Sequence, residues 1–154
     1  EYQVAADTTI DVVPHWPELV AAKTQASFDQ SSTASPRWLE WLVEAPVTVP
    51  ADRAQIEQAV LNVCRNAIDA IDHDGTITVR LGQAGDRRTL AIEDTGPGIG
   101  DEARGQIFTP FFTTKPHGQG IGLTLVREIL SRHGFPHDLA SAPGGPTTFT
   151  VWFD

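Results

Sequence analysis

The order of two hydrophobic periods along the chain constrains its fold more than any other feature. Residues 54–71 carry apolar side chains at the spacing of one helix face, and Gly75 follows as a stop signal, so a long amphipathic helix is predicted. Residues 76–81 and 89–94 instead alternate apolar and polar side chains on either side of a turn, which predicts a β-hairpin. A helix face and a sheet face of this kind bury their apolar side chains against each other.

A second helix and a second pair of strands follow in the same order. Residues 121–133 show helical spacing with Gly134 at the C-terminal end, and residues 137–142 and 147–153 flank the turn PGGP. The repeated order predicts an α/β fold in which helices pack on one face of a mixed, mostly antiparallel sheet.

The first third of the chain, residues 1–50, carries weaker periodic signals. Ser35 followed by Pro36 is typical of an N-cap and a first helical residue, so a helix is predicted for RWLEWLVE. The other elements predicted there are a strand at 9–13, a short helix at 14–23, a loop at 30–35 and a strand at 46–49.

Length, charge and cysteine content exclude several classes of protein. A chain of 154 residues has the size of one domain and can bury a core without crosslinks. Its net charge of −9 disfavours a nucleic-acid binder that works by neutralising phosphates. The single cysteine, Cys64, excludes an internal disulfide framework and a multi-cysteine zinc site, and its helical context predicts a core position. No apolar run reaches the roughly 20 residues of a membrane span, which predicts a cytoplasmic domain, and the missing initiator Met suggests a piece of a longer protein.

The polar face of the long helix is rich in amides. Asn62, Asn66 and Asp69, together with Gln58 and Arg65, fall within about a third of the helix circumference at 100° per residue. One interpretation is an ordinary solvated face. The other is that the two asparagines, one turn apart, offer neutral oxygens to a hard cation such as Mg²⁺.

A carboxylate followed by glycines ends the first hairpin. In EDTGPGI, Asp94 closes the strand and Gly96 and Gly98 flank a proline, so the backbone can approach a ligand while the carboxylate points into a cavity. Taken alone, a segment of this kind is more often an ordinary turn.

A second glycine cluster, GQGIGL, opens the second helix. Gly118, Gly120 and Gly122 alternate before the helix, which leaves backbone N–H groups and the positive end of the helix dipole directed at an anion. The segment has neither the lysine of a P-loop nor a preceding strand, so neither the P-loop nor the dinucleotide-binding motif fits.

About 20 residues, 99–118, separate the two glycine clusters and contain IFTPFFTTK. Loops of this length in a compact domain are usually functional, and a lid is the leading case. The phenylalanines form either a small core under the loop or a patch that docks a partner.

These segments together resemble a known family. NVCRNAIDA, EDTGPGI, IFTPFFTTK, GQGIGL and GGPTTF are similar, in this order, to the N box, first glycine box, F box, second glycine box and last strand of sensor histidine kinase catalytic domains. The wider family includes gyrase, the Hsp90 chaperones and MutL, and PFFTTK resembles the nitrogen-regulation type of sensor kinase. The resemblance covers residues 52–154. It implies that the whole chain is one ATP-binding domain, a two-layer α/β sandwich in which ATP lies between the N-box helix, the glycine loops and a mobile lid.

The resemblance also implies roles for residues around the base and the metal. Asp94 matches the carboxylate that accepts a hydrogen bond from the adenine amine, Gly96 and Gly98 let the chain pass the base, and Thr147 matches a polar residue near adenine. Asn66 matches the Mg²⁺ ligand. Asn62 stands where hydrolytic relatives have a general-base Glu, which suits a kinase that must not activate water. The catalytic and metal assignments at Asn62 rest on this match.

Further roles concern the phosphates. Gly118, Gly120 and Gly122 match the loop around the phosphates, and Ile121 and Leu123 belong to the same box. Lys115 lies in the lid, where it either meets the γ-phosphate or is an ordinary solvated side chain.

The chain departs from the family pattern in two places. Asp69 and Ala70 stand where many sensor kinases have Lys-Tyr, and none of the five histidines has the surroundings of a phosphoacceptor, His15 being the nearest. The resemblance therefore implies a domain that transfers the γ-phosphoryl group of Mg-ATP to a His on a separate dimerisation domain of the same kinase. A response regulator acts downstream, no nucleic acid is bound, and the membrane is reached only through other parts of the parent protein. The alternatives are a degenerate kinase that serves as a nucleotide-gated protein-binding module, and an anti-sigma-type serine kinase.

Overall fold

The structure, a computed structural model, describes residues 9–12, 37–43, 47–71, 75–84, 86–108 and 122–153. Three helices are present in these ranges: α1 (Arg53–Ala70), α2 (Asp101–Arg104) and α3 (Gly122–Arg132). The strands are β1 (Thr9–Val12), β2 (Arg37–Val43), β3 (Val47–Pro50), β4 (Gly75–Ala84), β5 (Arg87–Asp94), β6 (His137–Ser141) and β7 (Thr147–Phe153).

Five of the strands form one mixed sheet in the order β2-β4-β5-β7-β6. The β4–β5, β5–β7 and β6–β7 pairs are antiparallel, and β2 runs parallel to β4. Strands β1 and β3 form a separate antiparallel pair. The predicted α/β architecture and both predicted pairs of strands in residues 76–153 are confirmed.

The helix predicted for RWLEWLVE is wrong, because residues 37–43 form strand β2. All seven residues pair in register with β4, from Arg37 opposite Gly75 to Val43 opposite Leu81. Apolar residues in adjacent pairs fit a helix face, but tryptophan, leucine and valine also suit a strand, and pairing with a distant strand decides between the two. The predicted N-cap at Ser35 lies outside the described residues, as do the helix and loop predicted at 14–23 and 30–35.

Helix α1 lies across the sheet and supplies much of the core. The Asp52 side chain accepts a hydrogen bond from the Gln55 N–H and so caps the first turn. Cys64 is fully buried, as predicted. The other buried residues of this helix are Ile56, Ala59, Val60, Val63, Ala67 and Ile68. In the described part of the chain, no helix is long and apolar enough to cross a membrane.

Helix α3 packs beside α1 on the same face of the sheet, and His133 joins the end of one to the start of the other. Its Nε2 accepts the Asp52 N–H at 3.0 Å, while its Nδ1 lies 2.8 Å from the Ile129 carbonyl oxygen. Since a carbonyl can only accept, Nδ1 carries the hydrogen and the ring is neutral. The contact fixes α3, whose first residues face the site, against α1.

Candidate functional site: a pocket at one end of the sheet

A row of three polar side chains crosses the sheet where β5, β6 and β7 meet the following turns. Asp94 pairs with Thr147, and Thr147 pairs with Ser141. Directly opposed residues of antiparallel strands project from the same face, so all three point toward the helices. The next row on this face consists of Ile92, Phe149 and Leu139. The polar row therefore ends an otherwise apolar sheet surface.

A pocket opens between this row and the C-terminal half of α1. Its polar lining groups come from Asn66, Asp94 and Thr147. Apolar side chains that form its walls include Val63, Ile92, Ile99, Leu123, Leu139 and Phe149. Apolar walls with a few fixed polar groups are typical of a small-molecule site.

Asp94 is the buried charge of this pocket, with only 5% of its surface exposed. Its Oδ1 accepts the Gly96 N–H at 2.9 Å. Burial is the main cause that raises the pKa of Asp94; the Gly96 hydrogen bond lowers the pKa and the nearby charge of Glu93 raises it. A ligand that donates a hydrogen bond to this carboxylate would offset the cost of burying its charge.

The turn at residues 96–98, here called the first glycine turn, packs against the turn between β6 and β7. Gly98 has φ +77°, and a Cβ there would collide with the Ala142 carbonyl and lie 2.6 Å from the Gly145 nitrogen. Gly145 has φ +72°, and a Cβ there would collide with the Gly96 carbonyl. The Gly144 N–H also donates to the Pro97 carbonyl at 2.7 Å. The sequence predicts a turn at PGGP and a last strand after it, but it gives no sign that this turn supports the pocket.

The two asparagines of α1 occupy different positions relative to the pocket. Asn66 lines it, and the Asn66 Nδ2 lies 3.9 Å from where a Cβ of Gly122 would be, at the start of α3. Asn62 lies one turn earlier, is half-buried, and is not among the described residues that line the pocket. The role predicted for Asn62 stays a prediction.

The structure describes residues 99–108 of the segment that follows the first glycine turn. These residues contain the short helix α2; Ile107 is buried, and the Phe108 ring lies edge-on to His137 at 6.1 Å. The Thr124 hydroxyl donates to the Phe108 carbonyl at 3.1 Å. Ile107 is thus a buried residue and Phe108 packs partly buried against the core. Phe111 and Phe112 lie outside the described residues.

The predicted phosphate-binding residues are described only in part. Lys115, Gly118, Gly120 and Ile121 lie outside the described residues. Gly122 is the first residue of α3, and Leu123 lines the pocket beside Asn66. Among the described residues, no group of three or more His, Cys, Asp or Glu side chains is placed to hold a metal ion.

Fold and pocket together define a class of protein: an α/β domain with a pocket suited to a small ligand at one end of its sheet, beside a helix N-terminus. The sequence profile of the histidine kinase-, DNA gyrase B- and HSP90-like ATPases matches residues 51–154. The chain belongs to this ATPase family.

Curated proteins similar to the chain include sensor histidine kinases. Sensor histidine kinase ZraS of Escherichia coli strain K12 is 38% identical over 125 residues, which cover 79% of this chain and 27% of ZraS. C4-dicarboxylate transport sensor protein DctB of Rhizobium meliloti is 41% identical over 102 residues, which cover 65% of this chain and 16% of DctB. The chain thus corresponds to the ATPase domain of proteins several times its length.

Solved structures agree with this placement. A mycobacterial sensor histidine kinase, MprB, superposes with a TM-score of 0.80 at 26% identity and covers 95% of both chains. The nucleotide-free catalytic domain of histidine kinase ThkA has the same fold, with a TM-score of 0.78 at 24% identity over 95% of this chain and 93% of its own. The α/β sandwich fold of a histidine kinase ATPase domain is therefore confirmed.

Proposed function

We propose that this chain binds Mg-ATP in the pocket at the end of the sheet and that its parent protein transfers the γ-phosphoryl group to a histidine. One observation carries the proposal: the buried carboxylate of Asp94, which lies at the pocket between apolar walls. A carboxylate in this position selects a flat ligand with an N–H donor, and the adenine amine is such a donor. Membership of the ATPase family supports the same ligand.

The base would lie between the sheet and α1. Its amine donates to Asp94, its faces contact apolar side chains such as Phe149 and Leu123, and Thr147 stands next to the carboxylate. Gly96 and Gly98 keep side chains away from this edge of the pocket.

Mg²⁺ would be held by the Asn66 side-chain oxygen together with phosphate oxygens, with Asn62 one turn earlier as a second candidate. Asn66 fits this role because it lines the pocket and faces the start of α3. Mg²⁺ commonly binds through few protein ligands plus substrate phosphates, and it neutralises charge that develops during phosphoryl transfer.

The phosphates would extend toward the start of α3. The first-turn N–H groups of this 11-residue helix have no partner within the helix itself, and its N-terminus is the positive end of the helix dipole. Gly118, Gly120, Ile121, Gly122 and Leu123 are proposed to surround the phosphates, and Lys115 to contact the γ-phosphate.

Transfer of the phosphoryl group would need correct positioning of the reactants and neutralisation of charge rather than a covalent intermediate on this chain. The proposed acceptor is a histidine on a dimerisation domain of the same kinase, and a response regulator receives the phosphoryl group next. We place this domain in the cytoplasm, with any membrane attachment in other parts of the parent protein.

Nucleotide binding is tested by calorimetry with ATP, ADP and GTP. We expect Mg²⁺-dependent ATP binding, and Asp94→Asn should weaken it by about 2 to 4 kcal/mol, because the amide can turn its own donor toward the amine. Asp138→Asn, which alters an exposed carboxylate on β6, is the matched control and should bind like the wild type. Equal ATP affinity for Asp94→Asn and the wild type would refute the adenine assignment.

Phosphoryl transfer is tested with γ-labelled ATP and a separately produced acceptor-helix domain. The chain alone should take up no stable label, because none of its five histidines lies in a phosphoacceptor motif. Label should reach the acceptor domain when both proteins are present. ATP binding without transfer, combined with nucleotide-dependent binding of the acceptor domain, would favour the nucleotide-gated binding module instead.

A further inference from the structure

Ser141 does not line the pocket, but it forms hydrogen bonds with two residues that do, Ile99 and Thr147. Only 7% of the surface of Ser141 is exposed. Its Oγ accepts the Ile99 N–H at 2.8 Å and lies 2.7 Å from the Thr147 Oγ1. Its carbonyl accepts a hydrogen bond from the Arg104 guanidinium at 2.6 Å. One buried residue therefore contacts the glycine turn, the helix after it, and the hydroxyl next to Asp94.

The hydrogen bonds of Ser141 determine the direction of the bond between the two hydroxyls. The Ile99 N–H can only donate, so the Ser141 oxygen accepts there and its own hydrogen needs a different acceptor. Among the described residues, Thr147 Oγ1 is the remaining partner of that hydroxyl. Only one of the two hydroxyl hydrogens can lie in this contact. Ser141 is buried behind the pocket while Thr147 lines it, so the arrangement that leaves no buried hydrogen unpaired has Ser141 donating to Thr147.

A donated hydrogen bond from Ser141 occupies one lone pair of the Thr147 oxygen and leaves the Thr147 hydrogen to point elsewhere. Thr147 lines the pocket, so this hydrogen is available to a ligand there. Asp94, directly opposite on β5, is an acceptor. Asp94 and Thr147 thus present an acceptor and a donor side by side.

We propose that Ser141 is a positioning residue for base selection: it orients the Thr147 hydroxyl as a donor beside the Asp94 acceptor. Adenine matches this pair, because its 6-amino group donates and the ring nitrogens that flank it accept. Hypoxanthine and guanine present the reverse at this edge, an O6 acceptor next to an N1 donor. Ser141 thereby raises the preference for ATP over ITP without contacting either nucleotide. The proposal rests on nucleotide binding in this pocket.

The test compares the ratio of the ITP and ATP dissociation constants among variants of the chain, measured by calorimetry. Ser141→Ala frees Thr147 to rotate and accept from an N1–H group, so the ratio should fall about tenfold. Ser141→Thr keeps the hydroxyl and should restore most of the ratio. Because a ratio cancels any inactive fraction, partial unfolding of a variant does not imitate the effect.

A double-variant cycle separates orientation from loss of the Ile99 contact. If Ser141 acts through Thr147, Thr147→Val should lower the ratio, and adding Ser141→Ala should change it no further. A ratio unchanged in Ser141→Ala, or a Ser141 effect that persists with Thr147→Val, would overturn the proposal. Failure of the proposed function looks different, because the wild type would then bind neither ATP nor ITP.

Discussion

Asp94 sits in a position that favours ligand binding over stability. Asp94 is 5% exposed, and the hydrogen bond from the Gly96 N–H is the one that its side chain accepts among the described residues, so this carboxylate is incompletely compensated for the water it has lost. Within the described residues, no salt bridge involves this side chain. The folded protein therefore bears a cost at this residue that a donor on the ligand reduces.

The pH dependence of stability should show this cost. Burial raises the pKa of Asp94 above its ordinary value of 3.8. At pH values between this ordinary pKa and the raised pKa of the folded state, the folded protein binds more protons than the unfolded protein. Stability contributed by this group then falls as pH rises through the window. Asp94→Asn should be more stable than the wild type at pH 7, by about 0.5 to 2 kcal/mol, and the difference should shrink toward pH 4.

Urea denaturation of both proteins across this pH range measures the difference. Since the other carboxylates are common to both proteins, their titration cancels. A variant less stable than the wild type at pH 7 would contradict the interpretation.

Cys64 gives a second expectation at a single residue. It is fully buried in α1, and desolvation raises the pKa of its thiol to about 12. At pH 8 almost no thiolate is present and the sulfur is inaccessible, so a thiol reagent should react at least 100-fold more slowly than with the urea-unfolded chain. If Cys64 of the native protein reacted as fast as Cys64 of the unfolded chain, this residue would lie at the surface.

At the scale of elements, the two docked turns account for the shape of the pocket rim. Hydrogen bonds and close backbone contacts join residues 96–98 to residues 142–145, so the glycine turn after β5 is held by the turn before β7. A side chain at Gly98 is excluded both by the left-handed backbone and by lack of space.

Three glycine-to-alanine variants separate these two causes. At Gly98, φ is positive and an added Cβ would collide with backbone atoms. At Gly134, φ is also positive (+71°), but nothing lies within 4 Å of an added Cβ. Gly100 has neither a positive φ nor a close neighbour, and each glycine is replaced by alanine in turn. The free energy of unfolding should fall by more than about 3 kcal/mol in Gly98→Ala, by about 1 to 2 kcal/mol in Gly134→Ala, and by less than about 0.5 kcal/mol in Gly100→Ala. Thermal or urea unfolding gives the three values. Equal losses at Gly98 and Gly134 would mean that the turns do not constrain each other.

Elements with a strong local period were predictable from the sequence, and contacts between distant segments were not. Helix α1 has its apolar face, its Asp52 cap and its stop within one stretch of chain, so its bounds are close to those predicted. Strand β2 lacks such a signal, because seven residues fit either period and the deciding partner is β4. For the same reason Asp94 stood out as a strand-end carboxylate, whereas Ser141 was missed: its role depends on Ile99 and Thr147, which meet only in the folded sheet.

At the scale of the whole molecule, a chain with a net charge of −9 is proposed to bind a polyanion. Its overall field opposes ATP, so affinity must come from groups fixed inside the pocket and from Mg²⁺. The fold supplies this fixed frame, since one face of the sheet, α1 and the start of α3 all border the pocket.

Ligand linkage should therefore reverse the stability order of the wild type and Asp94→Asn. Without nucleotide the variant should be the more stable, because it lacks the buried charge. With Mg-ATP at 1,000 times the wild-type dissociation constant, the wild type gains about 4.1 kcal/mol. A variant that binds 2 to 4 kcal/mol more weakly gains only about 0.5 to 2 kcal/mol at that concentration. Unfolding midpoints plotted against ATP concentration should consequently cross, whereas Asp138→Asn should follow the wild-type curve throughout. Parallel curves for Asp94→Asn and the wild type would show that this carboxylate is a structural feature of the sheet and takes no part in holding the nucleotide.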